Sequence, residues 1–147
     1  MRDSINNMQA VFLGTVTVSG TTAAASSWVD TRGYDACTLL LKTNTVTNAG
    51  TAEGFTVTAQ HGDDSTASGA DVIDAADSVK GAISLTVTSD GDDDKLIGGI
   101  GYIGNKRYLR MNAVGTTASD ATVDVYAMLG EPARAATTLV GTAVAAT

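Results

Sequence analysis

The stretch TVDVYAML, residues 122–129, indicates the fold class of this chain. Its odd-numbered residues are all apolar, whereas Thr122 and Asp124 among the even-numbered residues are polar. Successive side chains of a β-strand point to opposite faces, so a period of two indicates a strand with one buried face. Antiparallel sheets commonly bury one face and leave the other in water. The stretch therefore predicts a half-buried antiparallel strand.

The same alternation recurs along the chain, between turn-forming clusters that are rich in Gly, Asn, Asp and Ser. Strands are predicted at 37–43, 55–60 and 83–88 and at about 10–18 and 107–113, with a short strand or one helical turn at 71–79. No stretch has amphipathic helical periodicity over three turns. We therefore predict an all-β protein, an antiparallel β-sandwich or barrel-like domain of about 6–8 short strands with extended terminal segments.

The two ends differ in composition from the middle of the chain. Residues 1–9 are polar without a strand pattern, and residues 132–147 begin at the only proline and are rich in Ala and Thr. Such ends are usually frayed, but in a protein that assembles they often order against a neighbour. We predict an N-terminal arm at 1–9, a β-sandwich domain at 10–131 and a C-terminal tail at 132–147.

Charge, cysteine content and the distribution of apolar residues exclude several classes of binding site and cellular location. The net charge is −7 and the pI is about 4.3, so the surface should repel nucleic acid. A single cysteine, Cys37, excludes an internal disulfide and zinc sites that need paired cysteines. Residues 1–9 lack the apolar run of a signal peptide, and no run of about 18 apolar residues occurs. We expect no membrane association, no export, and folding in a reducing cytoplasm.

The segment GIGYIG, residues 99–104, matches the Gly-x-Gly-x-x-Gly dinucleotide fingerprint. That fingerprint binds a pyrophosphate only between a strand and the N-terminus of a helix. Here residues 105–111 follow, and they alternate like a strand. The sequence therefore predicts a glycine-rich bend between strands and no bound cofactor.

Acidic clusters raise the possibility of a Ca²⁺ site. Asp90, Asp92, Asp93 and Asp94 could supply carboxylate oxygens on one loop. The EF-hand pattern fails because Lys95 stands where the glycine should be, and no glutamate closes the loop. A solvated acidic loop is the favoured interpretation here and at residues 63–64, so we predict no metal site.

Two single residues could carry chemistry. His61, the only histidine, ends a predicted strand beside Asp63 and Asp64. Nucleophilic catalysis needs an oriented base and an oxyanion site, which nothing in the sequence specifies. Cys37 lies on the apolar side of its strand, where a core residue is favoured over a reactive thiol. We predict that both are structural and that the protein has no catalytic residue.

Positive charge is concentrated at Lys106, Arg107 and Arg110. In a strand, Arg107 begins the row that continues with Leu109 and Met111. An arginine in an apolar row needs a carboxylate partner. Asp30 and Asp35 are the candidates.

The opposite side of this predicted strand combines charge with an aromatic residue. Lys106, Tyr108 and Arg110 share that side by parity. Tyr and Arg are favoured at protein interfaces, so we predict a protein-contact surface, with a solvated strand face as the alternative.

Two further segments are SSWVDTRGYD at residues 26–35 and IGYIGNKRYLR at residues 100–110. Together they resemble structural proteins encoded in the head modules of tailed bacteriophages. The resemblance is to capsid decoration, or cement, proteins and extends over roughly residues 10–134.

This resemblance implies a β-sandwich that binds the major capsid protein on the outside of the head, commonly as a homotrimer, after synthesis in the host bacterial cytoplasm. It supplies no catalytic residues. Trp28, Arg32 and Tyr34 of the matched segment join Lys106, Tyr108 and Arg110, together with Arg2 of the arm, as interface candidates. The alternatives are a head–tail connector or tail protein, and a Ca²⁺- or carbohydrate-binding β-sandwich module.

Overall fold

The computed structural model describes residues 7–51 and 54–132, which form two antiparallel β-sheets. The predicted all-β sandwich is therefore confirmed. The described part contains one 3₁₀ helix, Ala75–Asp77, and no α-helix. The strands are β1 Met8–Ser19, β2 Ala24–Ala25, β3 Val29–Asp30, β4 Tyr34–Asn48, β5 Phe55–Gly62, β6 Asp71–Val72, β7 Ser84–Val87, β8 Leu96–Tyr102, β9 Tyr108–Val114 and β10 Asp120–Pro132.

One sheet has four strands in the order β1-β10-β4-β8. The other sheet has six strands and is built on the pair β9 and β5. The short strands β2 and β3 pair with β9, and β6 and β7 pair with β5. Every pairing is antiparallel, and the long strands β1, β4 and β10 lie side by side in the four-stranded sheet.

The core lies between the two sheets and confirms the alternation read from the sequence. It is a single hydrophobic cluster to which both sheets contribute. Burying one large aliphatic or aromatic side chain contributes about 1.5–3 kcal/mol, so these rows hold the sheets together. Fully buried members are Leu39 and Leu41 of β4, Val123 and Val125 of β10, Phe55 and Val57 of β5, and Leu109 and Met111 of β9.

Strand β1 contains a bulge that the sequence pattern did not predict. Phe12 pairs with Tyr126 and Gly14 with Val125, which leaves Leu13 as an extra residue. Gly14 has φ of 105°, a backbone conformation that favours glycine. The extra residue switches the inward positions of β1 from odd to even numbers. Leu13 before the switch and Val16 and Val18 after it are therefore all buried.

Several boundaries differ from the predicted ones. β1 begins at Met8, so Met8 and Gln9 belong to the sandwich and not to an arm. The predicted bend at 99–104 is wrong, since its first four residues lie in strand β8. Residues 71–79 contain both predicted alternatives, a short strand and a helical turn. Residues 1–6 of the predicted arm and 133–147 of the predicted tail lie outside the described residues.

Candidate interaction surface

The two segments that carry the resemblance lie side by side in the six-stranded sheet. Val29 pairs with Leu109, and Asp30 pairs with Tyr108. The Thr31 backbone N–H and hydroxyl both donate to the carbonyl oxygen of residue 107, at 2.9 and 2.8 Å. The fold thus joins residues that are far apart in the sequence. We call the predicted interface residues of the described part the basic-aromatic surface: Trp28, Arg32, Tyr34, Lys106, Tyr108 and Arg110.

Arg107 forms a two-pronged ion pair with Asp30. Its Nε lies 2.9 Å from Oδ1, and its Nη2 lies 2.6 Å from Oδ2. The hydrogen bond from Arg107 is the main cause that lowers the pKa of Asp30, and Asp30 in turn raises the pKa of Arg107. A carboxylate partner was predicted, and Asp30 is that partner. The predicted apolar row is wrong at this residue, because Arg107 precedes β9 and its side chain is 43% exposed.

Arg110 stacks on the only tryptophan of the chain. Its guanidinium carbon lies 4.5 Å from the centre of the Trp28 ring, within the range of a cation–π contact. Its Nε donates to Gln60 Oε1 at 2.8 Å, which fixes the orientation of the guanidinium plane. Burial lowers the pKa of Arg110. No carboxylate among the described residues lies within ion-pair distance of this cation.

The remaining cation on this side of β9 has an acidic neighbour. Lys106 Nζ forms an ion pair with Asp63, and the hydrogen bond to Asp63 is the main cause that raises the pKa of Lys106. Tyr108 is half-buried, with the guanidinium of Arg107 4.9 Å from its ring centre. Lys106 therefore contributes little net charge to the basic-aromatic surface, whereas Arg110 contributes a full positive charge.

Arg32 lies on the turn between β3 and β4, and Tyr34 is the first residue of β4. Arg32 is exposed, and its backbone N–H donates to Asp30 Oδ1 at 2.9 Å. Tyr34 is half-buried, and its hydroxyl donates to the side-chain oxygen of Gln9 in β1. Tyr34 and Lys106 line the same shallow cavity of about 150 Å³. Arg2, the other predicted interface residue, lies outside the described residues.

His61 belongs to a small polar cluster whose members the sequence did not identify. Its Nδ1 lies 2.9 Å from the Tyr102 hydroxyl and 3.7 Å from Asp77 Oδ2. The Tyr102 oxygen also accepts the backbone N–H of Lys106 at 3.0 Å. Burial is the main cause that raises the pKa of Tyr102. The cluster fixes β5, β8 and the 3₁₀ helix to one another, which supports the predicted structural role of His61.

The acidic loop at 90–94 is largely exposed, as the sequence predicted, but its carboxylates have partners within the protein. Asp90 Oδ1 accepts the backbone N–H of Ala49 at 2.6 Å, and Asp93 Oδ1 accepts that of Val46 at 2.5 Å. Strand β8 pairs with β4 only from Cys37 to Lys42, so these carboxylates satisfy N–H groups beyond the last pair. In the described ranges, no three His, Cys, Asp or Glu side chains are grouped so that they could hold a metal ion.

The other two aspartates of this loop face lysines. Lys42 Nζ lies 3.0 Å from Asp94 Oδ1, and Lys95 Nζ lies 2.9 Å from Asp92 Oδ1. The carboxylates of the loop therefore bind the backbone of β4 and two ammonium groups. These contacts give each of the four aspartates a partner within the protein.

Close packing explains the glycines of the GIGYIG segment. A Cβ at Gly99 would lie 2.8 Å from a methyl carbon of Leu40, and one at Gly101 would lie 2.9 Å from a methyl carbon of Val79. A Cβ at Gly104 would lie 2.4 Å from the Tyr102 hydroxyl. The segment lies in and after strand β8 and does not open a helix. The fingerprint therefore lacks the helix terminus that would receive a pyrophosphate.

Within the described ranges, the chain contains no helix that is long and apolar enough to cross a membrane. The chain matches no protein-family model and no curated protein sequence.

Proposed function

We propose that this protein is a capsid decoration protein of a tailed bacteriophage. It is made in the host cytoplasm, binds the outer surface of the head as a homotrimer and stabilises the lattice of the major capsid protein. The observation that supports the proposal most is the contact between the two resembling segments, in which Val29 pairs with Leu109 and Asp30 with Tyr108. Its central feature is the stacked pair of Trp28 and Arg110.

The stacked pair has the properties of a binding anchor. Trp and Arg are the residue types that most often dominate the binding energy of protein interfaces. Arg110 is oriented by Gln60 and Trp28, so little side-chain entropy is lost when it binds. Because it has no carboxylate partner among the described residues, its free N–H groups can bind a carboxylate or carbonyl oxygen of the major capsid protein.

The overall charge supports a position on the outer surface. A net charge of −7 disfavours contact with the packaged genome. Many identical copies on a symmetric lattice can also turn a modest contact into strong attachment, because each trimer binds several capsid subunits at once. Decoration then stabilises the head through buried area and requires no chemical reaction.

Cosedimentation with phage heads tests the proposal. Purified protein should bind expanded heads and not immature heads, and the fluorescence of Trp28 should change on binding. Trp28→Ala and Arg110→Ala should each weaken binding at least about tenfold, since interface anchors typically contribute more than 1.4 kcal/mol. Lys80→Ala removes an exposed cation outside the basic-aromatic surface and serves as the control, with unchanged binding.

The copy number in purified virions separates decoration from its nearest alternative. A decoration protein should be present in numbers comparable to the major capsid protein, whereas a connector or tail protein should be present in only a few copies. Gel densitometry of virions measures this ratio. Absence from virions would overturn any structural role in the particle.

A further inference from the structure

One part of the outer face of the four-stranded sheet carries small and apolar side chains, whereas the rows from Thr15, Asp124 and Lys42 onward are polar. Strand register places Ala10, Met128, Thr38 and Gly101 in one row across the sheet. The next row is formed by Phe12, Tyr126, Leu40 and Gly99. We call these two rows, together with Met8, Gly130 and Ala36 of the adjoining row, the apolar face.

This face contains no charged residue. Phe12 is 42% exposed, and its ring centre lies 5.1 Å from that of Tyr126. The outer face of the other sheet mixes polar residues such as Thr58, Gln60 and Asn112 with the aromatic and basic residues described above. Antiparallel sheets normally have a polar outer face, so an uncharged patch on which Met8 and Phe12 are more than 40% exposed indicates that the apolar face is covered in the functional assembly.

Polar groups border the apolar face. Beyond the Phe12 row, the Thr15 hydroxyl donates to Asp124 Oδ1 at 2.5 Å, and Lys42, opposite Asp124, pairs with Asp94. At the β8 edge, Val79 lies over Gly101 and remains 62% exposed. An apolar centre inside a polar rim is the arrangement found at protein interfaces.

Charge restricts where two copies of this chain can meet. With a net charge of −7, two copies repel each other over most of their surface. The apolar face allows copies to approach without bringing like charges together. Glycine, alanine and threonine at its positions keep the surface flat, which suits the spacing of about 10 Å between packed sheets.

The size of the sheet also suits self-association. Strands about 4.8 Å apart that rise about 3.3 Å per residue give the apolar face an area of roughly 300 Å², within a sheet face of roughly 700 Å². Each partner in an interface of standard size contributes about 800 Å², so the apolar face would form the centre of such an interface and the rest of the sheet face its rim. We infer that the apolar faces of neighbouring copies pack against one another and form the core of the homo-oligomer. Only the number of copies, three around a common axis, rests on the proposed function.

Matched substitutions on the two sheets test this inference. Thr38→Lys places a charge in the middle of the apolar face, and Thr58→Lys makes the same change at a half-buried position of a central strand in the other sheet. Ala10→Lys is a second variant, at an exposed position on the edge strand β1. Circular dichroism and thermal unfolding identify any variant that fails to fold.

Light scattering coupled to size-exclusion chromatography gives the mass of the full chain and its variants. We expect the wild type and Thr58→Lys to be oligomers, and Thr38→Lys and Ala10→Lys to raise the dissociation constant at least about tenfold. A wild-type protein that is monomeric at every concentration would overturn the inference, as would an oligomer that both variants leave intact.

The mass and the head-binding assay separate this inference from the proposed function. A dimer that Thr38→Lys dissociates supports the apolar face and overturns the homotrimer. An oligomer that depends on this face but does not bind phage heads overturns decoration alone. Binding to heads by a monomeric wild type overturns the inference alone.

Discussion

Thr43, which is fully buried in β4, is joined to Lys95 through both backbone and side chain. The backbone N–H of Thr43 donates to the Lys95 carbonyl oxygen at 2.8 Å, and the backbone N–H of Lys95 donates to Thr43 Oγ1 at 3.0 Å. The Thr43 hydroxyl also donates to the carbonyl oxygen of Asp92. One buried hydroxyl therefore holds the acidic loop against the end of the four-stranded sheet.

Replacing this hydroxyl should destabilise the protein. Thr43→Val keeps the shape of the side chain but leaves the Lys95 N–H without its acceptor, which should cost about 1–3 kcal/mol. Urea denaturation measures the loss. Thr45→Val changes an exposed threonine two residues along the same strand and should alter the free energy of unfolding by less than about 0.5 kcal/mol. Equal losses in the two variants would contradict the assigned role of Thr43.

The acidic loop should be insensitive to chelators. Asp90 and Asp93 bind backbone N–H groups of β4, and Asp92 and Asp94 bind lysines. We therefore expect neither EDTA nor added CaCl₂ to shift the midpoint of thermal unfolding. Asp93→Ala, by contrast, should cost about 1–3 kcal/mol because the Val46 N–H loses its acceptor. A marked loss of stability on adding EDTA would support the Ca²⁺-binding alternative instead.

The sequence predicted the long strands because their inward residues repeat with a period of two. It did not predict the bulge at Leu13, since one inserted residue changes the parity within a strand that otherwise looks continuous. Strand β8 was missed because Gly98, Gly99 and Gly101 have low strand propensity. Its conformation depends on pairing with β4, a contact between distant segments.

Contacts between distant segments also limited what could be predicted of the candidate surface. The partnership of Arg107 with a carboxylate was predicted, but from an apolar row to which this exposed residue does not belong. The stacking of Arg110 on Trp28 could not be predicted, because it depends on the pairing of β3 with β9. The hydrogen bond between His61 and Tyr102 likewise joins strands of different sheets, and no local pattern indicates it.

The ion pair of Asp30 with Arg107 should make stability depend on pH. Because the pKa of Asp30 is lowered in the folded protein, its contribution is present above the unfolded pKa and is lost as the pH falls through the folded pKa. Asp30→Asn should therefore lower the urea midpoint slightly near neutral pH and have no effect in strong acid. Asp35→Asn, which removes an exposed neighbouring carboxylate of the same charge, is the matched control. A pH-independent difference for Asp30→Asn would contradict this assignment.

The Cys37 thiol should be unreactive in the folded protein. Burial raises its pKa to about 12, so very little thiolate exists near neutral pH, and the side chain is only 6% exposed. Reaction with a thiol reagent such as DTNB should be slow under native conditions and fast in urea. Rapid labelling of the native protein, at a rate independent of its stability, would show that this end of β4 opens locally.

The third glycine of the GIGYIG segment should be required for packing and not for nucleotide binding. In Gly104→Ala the new Cβ would lie 2.4 Å from the Tyr102 hydroxyl and 2.7 Å from Asp77 Oδ1, so the cluster around His61 must shift. Overpacking of this kind typically costs about 1–3 kcal/mol. Gly91→Ala is the control, because its Cβ would make an ordinary 3.7 Å contact with Ser89.

Thermal unfolding with and without NAD tests both the packing role and the absence of nucleotide binding. Gly104→Ala should unfold at a lower temperature than Gly91→Ala. NAD should not shift the unfolding temperature of the wild type or of either variant. Stabilisation of the wild type by NAD that Gly104→Ala abolishes would restore the dinucleotide interpretation of this segment.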